Sequence, residues 1–164
     1  MKTIKVYIVL LVFLPFFSKA NAPGLQDQVL AAYFEVKNAL AHDNAQSAAA
    51  KAAGLAKITE APDMRAFSEQ QRARWNKHAK VINSGAKAIA NTKDLKKQRQ
   101  LFGELSKAMI DVAKAGGNSR DIYLQHCPMA KNSWLNEKPA VENPYYGSEM
   151  FACGSITEIL AAGQ

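Results

Sequence analysis

Apolar residues recur along this chain in two rhythms, and the change from one to the other divides it. Leu25, Val29, Tyr33, Val36 and Leu40 are spaced by threes and fours, the period of one face of a helix. An alanine-rich stretch from Asp43 to about Thr59 predicts a second helix, with Asp43 as its expected N-cap and Leu55 and Ile58 near its end. Its small side chains suit close helix packing. Ala61-Pro62-Asp63 interrupts the pattern. Ser68-Glu69-Gln70-Gln71 has the form of a capping box, and the stripe behind it is Trp75, Ala79, Ile82, Ala86 and Ile89. A fourth helix opens near Asp94 with Leu95, Phe102, Leu105, Met109 and Val112 on one face, and Gly116-Gly117 supplies its stop. Four amphipathic helices with short connections predict an antiparallel bundle.

Beyond Gly116 the helical period is lost. Asp121 to Cys127 holds a strand-like run that Pro128 ends. Asn143-Pro144-Tyr145-Tyr146-Gly147 is a turn with aromatic flanks, and Ile156 to Leu160 fits a short strand or a last helical turn. This part, about residues 116–164, is too short and too poor in apolar mass to fold alone. It is expected to fold back on the bundle, with Trp134 and Leu135 as docking side chains. The predicted fold class is mainly α: an antiparallel bundle of about four helices with a short irregular or β C-terminal tail packed on it.

The N-terminus follows neither rhythm. Lys2 and Lys5 precede an apolar run from Val6 to Phe17, and the small residues Ser18, Ala20 and Ala22 follow it. Positive start, short apolar core and small-residue exit is the layout of a cleavable secretory signal. Spanning a bilayer takes about 20 apolar residues, and this run is shorter. Residues 1–22 are therefore expected to be a signal peptide, cut after Ala20 or Ala22. Residues 23–164 are expected to form one exported or periplasmic domain with no membrane span after cleavage. Charge changes accordingly. The whole chain carries +7, of which Lys2, Lys5 and Lys19 belong to the leader, leaving +4. The remaining basic residues sit beside acids, as in Asp94-Leu95-Lys96-Lys97, which describes a solvated surface. No nucleic-acid partner is expected, because no binding motif accompanies the charge.

Export also changes what the two cysteines mean. Cys127 and Cys153 are the only two in the chain, and in an oxidising compartment two cysteines usually bridge. They do not stand alone, however. His126 precedes Cys127, Met129 follows it by two, and Met150 precedes Cys153 by three. Residues two apart share a side in an extended segment, and residues three apart converge in a turn. If the two segments meet, thiolates and thioethers surround one small volume. Such soft donors suit Cu(I) rather than calcium, magnesium or manganese, whereas methionine is not a usual zinc ligand. Cys127, Met129, Met150, Cys153 and His126 are the candidate metal ligands, and a plain disulfide staple remains the alternative. Cys-x-x-Cys, haem-attachment, phosphate-loop, His-Glu-x-x-His and Gly-x-Ser-x-Gly motifs are all missing from the sequence. Enzymatic activity is not expected.

His126-Cys127-Pro128-Met129-Ala130, Trp134-Leu135, Asn143-Pro144-Tyr145-Tyr146-Gly147, Met150 and Cys153-Gly154, together with Tyr33-Phe34 and the Ala-rich second helix, resemble domain of unknown function 3347. Such domains occur as stand-alone exported proteins and joined to periplasmic adaptors of heavy-metal efflux pumps. The resemblance implies a part in handling copper or a related metal. It places Cys127, Met129, Met150 and Cys153 at the recurring Cys-Pro-Met and Met-x-x-Cys-Gly positions, with His126 less firmly matched. It also implies that any link to a pump runs through a separate partner, since no adaptor portion is present. The function expected is periplasmic copper binding, for sequestration or hand-over to an efflux system. The alternatives are a disulfide-stapled helical interaction module of an efflux or envelope assembly, without metal, and a thiol-based redox protein.

Overall fold

Each apolar stripe becomes the buried face of a helix. A computed structural model describes residues 24–163; the leader read in residues 1–22 lies outside them. Helix α1 spans Leu25–Ala41, α2 Ala45–Glu60, α3 Glu69–Ala90 and α4 Leu95–Ala113. Consecutive helices pack on one another, and α1 also touches α4. Tyr33, Leu40, Leu55, Ile82, Ile89, Phe102, Leu105 and Met109 are all fully buried between them. Ala48 and Ala52 of α2 are buried too, so the alanine face brings its backbone close to its neighbours. Among the described residues no helix is long and apolar enough to cross a membrane.

Local side-chain bonds set the starts of α2, α3 and α4. At α3 the Gln71 N–H donates to Ser68 Oγ at 3.2 Å and the Ser68 N–H to Gln71 Oε1 at 2.8 Å, which completes the capping box. Asp94 caps α4 by accepting from the Lys97 N–H at 3.1 Å. The cap of α2 differs from expectation by one residue: Asn44 accepts from the Ser47 N–H at 2.8 Å. Asp43 instead adopts the left-handed conformation, φ 56°, which an acidic residue tolerates better than most. That turn frees its carboxylate for Arg99 of α4.

The tail is a three-stranded antiparallel sheet, β1 Ile122–Cys127, β2 Asn132–Asn136 and β3 Ser155–Leu160, in the order β2-β1-β3. Ile156 to Leu160 thus lies in a strand, settling the alternative left by the sequence. β2 is an addition. Trp134 and Leu135 do dock, both fully buried, but as part of a strand that packs on α4. Polar Asn132, Ser133 and Asn136 around them hide any period-2 signal. The aromatic side chains of the two layers interlock. Tyr33 stacks on Phe102 with centroids 5.3 Å apart, Phe102 meets Tyr145 at 5.8 Å, and Tyr145 meets Trp134 at 6.0 Å. Bundle and tail therefore share one core.

Candidate functional site

The two cysteine segments meet because β1 lies at the centre of the sheet. Cys127 ends β1 opposite Asn132 of β2. On the other side, β1 and β3 are paired up to His126 and Ser155, so Cys153 stands just beyond the start of β3. Pro128 to Lys131 connect β1 to β2, and Lys131 takes φ 53° to close the turn. This connection folds the Ala130 N–H back toward Cys127 Sγ at 3.4 Å.

The segment from residue 137 to 154 carries Met150 and Cys153, and polar side chains hold it down. Gln125 of β1 donates to the carbonyls of Pro139 and Ala140 at 3.2 and 3.3 Å. Asn143 donates through its N–H to Phe151 O at 2.8 Å and through its side chain to Cys153 O at 3.1 Å. A 3₁₀ turn, Gly147–Met150, is pinned to the bundle: the Ser148 N–H donates to Asp43 Oδ2 at 3.0 Å, and Arg99 bridges Asp43, Leu40 O and Pro144 O. Gly147 adopts φ 57°, and a Cβ there would overlap the Asp43–Arg99 pair. At Gly154, φ 145°, a Cβ would come within 2.9 Å of the Trp134 ring and 3.0 Å of His126 O. Glycine after Cys153 lets the chain close onto the sheet.

Lys37 is the fixing residue that sequence reasoning missed. Its side chain is wholly buried, donating to Asn136 at 2.8 Å and Glu142 at 3.2 Å, with Glu137 3.5 Å away. Lys138 pairs with the same Glu142 at 2.6 Å. Burial pulls the Lys37 ammonium below its ordinary range, although Glu137 and Glu142 oppose that pull. One signal was available. Lys37 stands four residues after Tyr33 and three before Leu40, which puts it on the buried face of α1.

Both cysteines are free, and their Sγ atoms lie 2.9 Å apart, a thiol contact rather than the roughly 2.05 Å of a disulfide. Their surroundings differ. Cys127 is fully buried, whereas Cys153 is partly exposed. Burial pushes the Cys127 thiol up. The Cys153 thiol, the N–H groups of Ala130 and Met129 and the Asn143 side chain outweigh it, and hold Cys127 below the ordinary thiol range. Cys153 moves upward, because it donates to Cys127, is partly desolvated and feels the Cys127 charge. The two shifts thus favour the proton on the outer sulfur and the charge on the inner one.

The other candidates fall around this pair. Met129 points its N–H at both sulfurs, while its residue as a whole is 62% exposed at the hairpin tip. Met150 is half-buried, and its carbonyl accepts from the Cys153 N–H at 3.0 Å. His126 is not brought to the sulfurs. Neighbouring residues of a strand project to opposite faces, and the His126 ring meets Ser133 Oγ at 3.0 Å through Nδ1. Among the described residues no three His, Cys, Asp or Glu side chains converge as a cation set. Beside the hairpin, Lys96, Arg99, Asn132, Tyr145, Tyr146 and Glu149 line an open cleft of about 470 Å³.

Residues 29–121 match a family described as protein of unknown function, DUF3347. The match takes in Tyr33-Phe34, the Ala-rich α2 and the rest of the bundle, and stops one residue before β1; the Cys/Met segments lie outside it. No curated protein and no solved structure matches the chain. The chain belongs to the DUF3347 family.

Proposed function

We propose that this DUF3347 protein binds a soft metal ion, Cu(I), through Cys127 and Cys153, and that it acts outside the cytoplasm in sequestration or hand-over to an efflux system rather than in catalysis. The supporting observation is the meeting of two free thiols from separate segments at 2.9 Å, with backbone N–H groups favouring the thiolate at Cys127. Thiolate is the form that takes up a metal, and sulfur donors select Cu(I). A metal held by both sulfurs needs a wider separation than 2.9 Å, because metal–thiolate distances are about 2.3 Å. Rotation of the outer Cys153 side chain supplies the extra width. Met129 and Met150 stand in the two loops that carry the cysteines, and in this reading they add thioether donors. His126 is set aside by its Ser133 contact.

The 2.9 Å separation also favours a second reading, a disulfide staple in an interaction module that takes no metal. The methionines separate the two, since a staple needs neither. Reduced protein is set against a chromogenic Cu(I) chelator as wild type, Met129→Leu, Met150→Leu and Cys153→Ser. Leu for Met keeps apolar bulk, so stability shifts stay under about 1.5 kcal/mol. The metal reading expects wild type to take one Cu(I), Cys153→Ser to lose it, and both Leu variants to bind more weakly. Failure of wild type to compete, or full-strength binding by both Leu variants with Cys153→Ser altering the melting temperature alone, leaves the staple.

A further inference from the structure

The two sulfurs are unequal in a way that metal binding does not require. Cys127 is sealed beneath the hairpin turn and the 137–154 segment, whereas Cys153 reaches the surface at the start of β3. The inner sulfur also has a backbone donor facing it, the Ala130 N–H at 3.4 Å. An attacking thiolate in solution can approach one sulfur, and the charge that departs is best held on the other.

We propose that Cys127 and Cys153 form a reversible dithiol/disulfide couple that exchanges electrons with external thiols and disulfides through Cys153, with Cys127 as the leaving sulfur. In the reducing direction an external thiolate attacks Cys153 Sγ. The Cys153–Cys127 bond breaks, a mixed disulfide forms on Cys153, and Cys127 departs as a thiolate. A second external thiolate then attacks the external sulfur of that mixed disulfide, giving the external disulfide and Cys153 thiolate, which takes a proton from water. Two electrons pass from two external thiols to the protein. In the oxidising direction Cys153 gives its proton to water, and the resulting thiolate attacks an external disulfide and expels one thiolate. Cys127 then attacks Cys153 Sγ and expels the second. Attack on the accessible sulfur, and departure of the one that the Ala130 N–H faces, both favour this polarity. The couple uses the sulfurs of the proposed metal site but does not depend on metal binding, and it is read in metal-free protein.

The test uses wild type, so no variant has to fold. Metal-free protein is equilibrated in buffers of reduced and oxidised glutathione, acid-quenched and alkylated, and the free thiols are counted by mass. In a separate arm the oxidised protein is mixed with limiting reduced glutathione and quenched early. The glutathione adduct is then located, Cys127 and Cys153 lying in different tryptic peptides on either side of Lys131. The couple expects a reversible loss of both thiols together as the buffer becomes oxidising. It also expects at least ten times more adduct on Cys153 than on Cys127, falling to near parity in denaturant, where burial no longer distinguishes them. Thiols that stay reduced in oxidised glutathione overturn the couple. Adduct shared equally in the folded protein, or found chiefly on Cys127, overturns the polarity. Neither result bears on Cu(I) competition by reduced protein, so the two readings fail separately.

Discussion

The bundle and the tail are held by different means. In the bundle, buried faces are mainly apolar, and α2, α3 and α4 start at capping residues whose bonds span three positions. In the tail, three short strands and long irregular segments are fastened by single polar side chains: Lys37 to Asn136 and Glu142, Gln125 to the 139–140 backbone, Asn143 to Cys153 O, and Arg99 to Pro144 O. Apolar burial is non-directional, so it shapes a layer without fixing a particular loop. Hydrogen-bonded polar anchors are directional, and leaving one unsatisfied is costly. A site that must bring two thiols to contact needs the second kind of fastening.

The largest test of this contrast uses the two tryptophans, Trp75 in α3 and Trp134 in β2. Each is buried, and each change to Ala is expected to cost about 3–5 kcal/mol in urea unfolding. Fluorescence of Trp75→Phe and Trp134→Phe should report one shared midpoint, since Tyr33, Phe102, Tyr145 and Trp134 join the layers. A separate, earlier transition for the tail reporter would split the protein into two cooperative units.

Removing the buried ammonium is the next largest. Lys37→Met takes the buried cation from between Glu142 and Glu137 and one donor from Asn136 Oδ1, and should cost about 3 kcal/mol or more. Near-ultraviolet dichroism of the tail aromatics should fall while helix content is kept. A near-neutral result would mean that the loop from residue 136 to 142 is held by packing alone.

Acid should loosen the tail first. Burial pushes the Glu142 carboxyl up, but Lys138 and Lys37 outweigh it and hold the group below its usual 4.5. Asp43 is likewise lowered, by Ser148 first and, against some desolvation, by Arg99. A carboxylate depressed in the folded state stabilises fully above its unfolded value and loses that contribution as pH falls through its folded value. Urea midpoints should therefore decline below about pH 4.5. Glu142→Gln should start about 1–3 kcal/mol lower at pH 7 and decline less steeply. An equally steep decline in that variant would place the acid sensitivity elsewhere. The smallest effect belongs to the bundle: Asp94→Ala should cost about 1 kcal/mol through its lost cap, measured by thermal melting, with thiol reactivity unchanged.

The same contrast explains what was legible. Regular spacing announced all four helices, and Ser68 and Asp94 announced two of their starts. Cys127, Met129, Met150 and Cys153 announced two segments with shared chemistry. β2 left no period, because polar residues flank Trp134-Leu135 on both sides. Asp43 was read as a cap, since nothing local shows that its partner is Arg99, 56 positions away. Lys37 passed as a surface charge for the same reason: its partners lie 99 and 105 positions along the chain. His126 stood next to Cys127 in sequence, and strand alternation is what separates them in space.

The pairing of β1 with β3 slips by one residue between Leu124 and Gln125, where Thr157 is left over and donates its hydroxyl to Leu124 O at 3.2 Å. Such a bulge makes the length of β3 a setting rather than a detail. Delete Thr157, and an unbulged ladder counted from Glu158 would bring Ile156 opposite Gln125 as before. Delete Gly154, the one residue between Cys153 and Ser155, and the outer sulfur advances by one strand position, about 3.3 Å, onto the opposite face. Chain-length changes are thus expected to be tolerated unevenly here. The bulge at Thr157 can absorb the loss of a residue by becoming a regular ladder, whereas the two steps from Cys153 to Ser155 have nothing to give up.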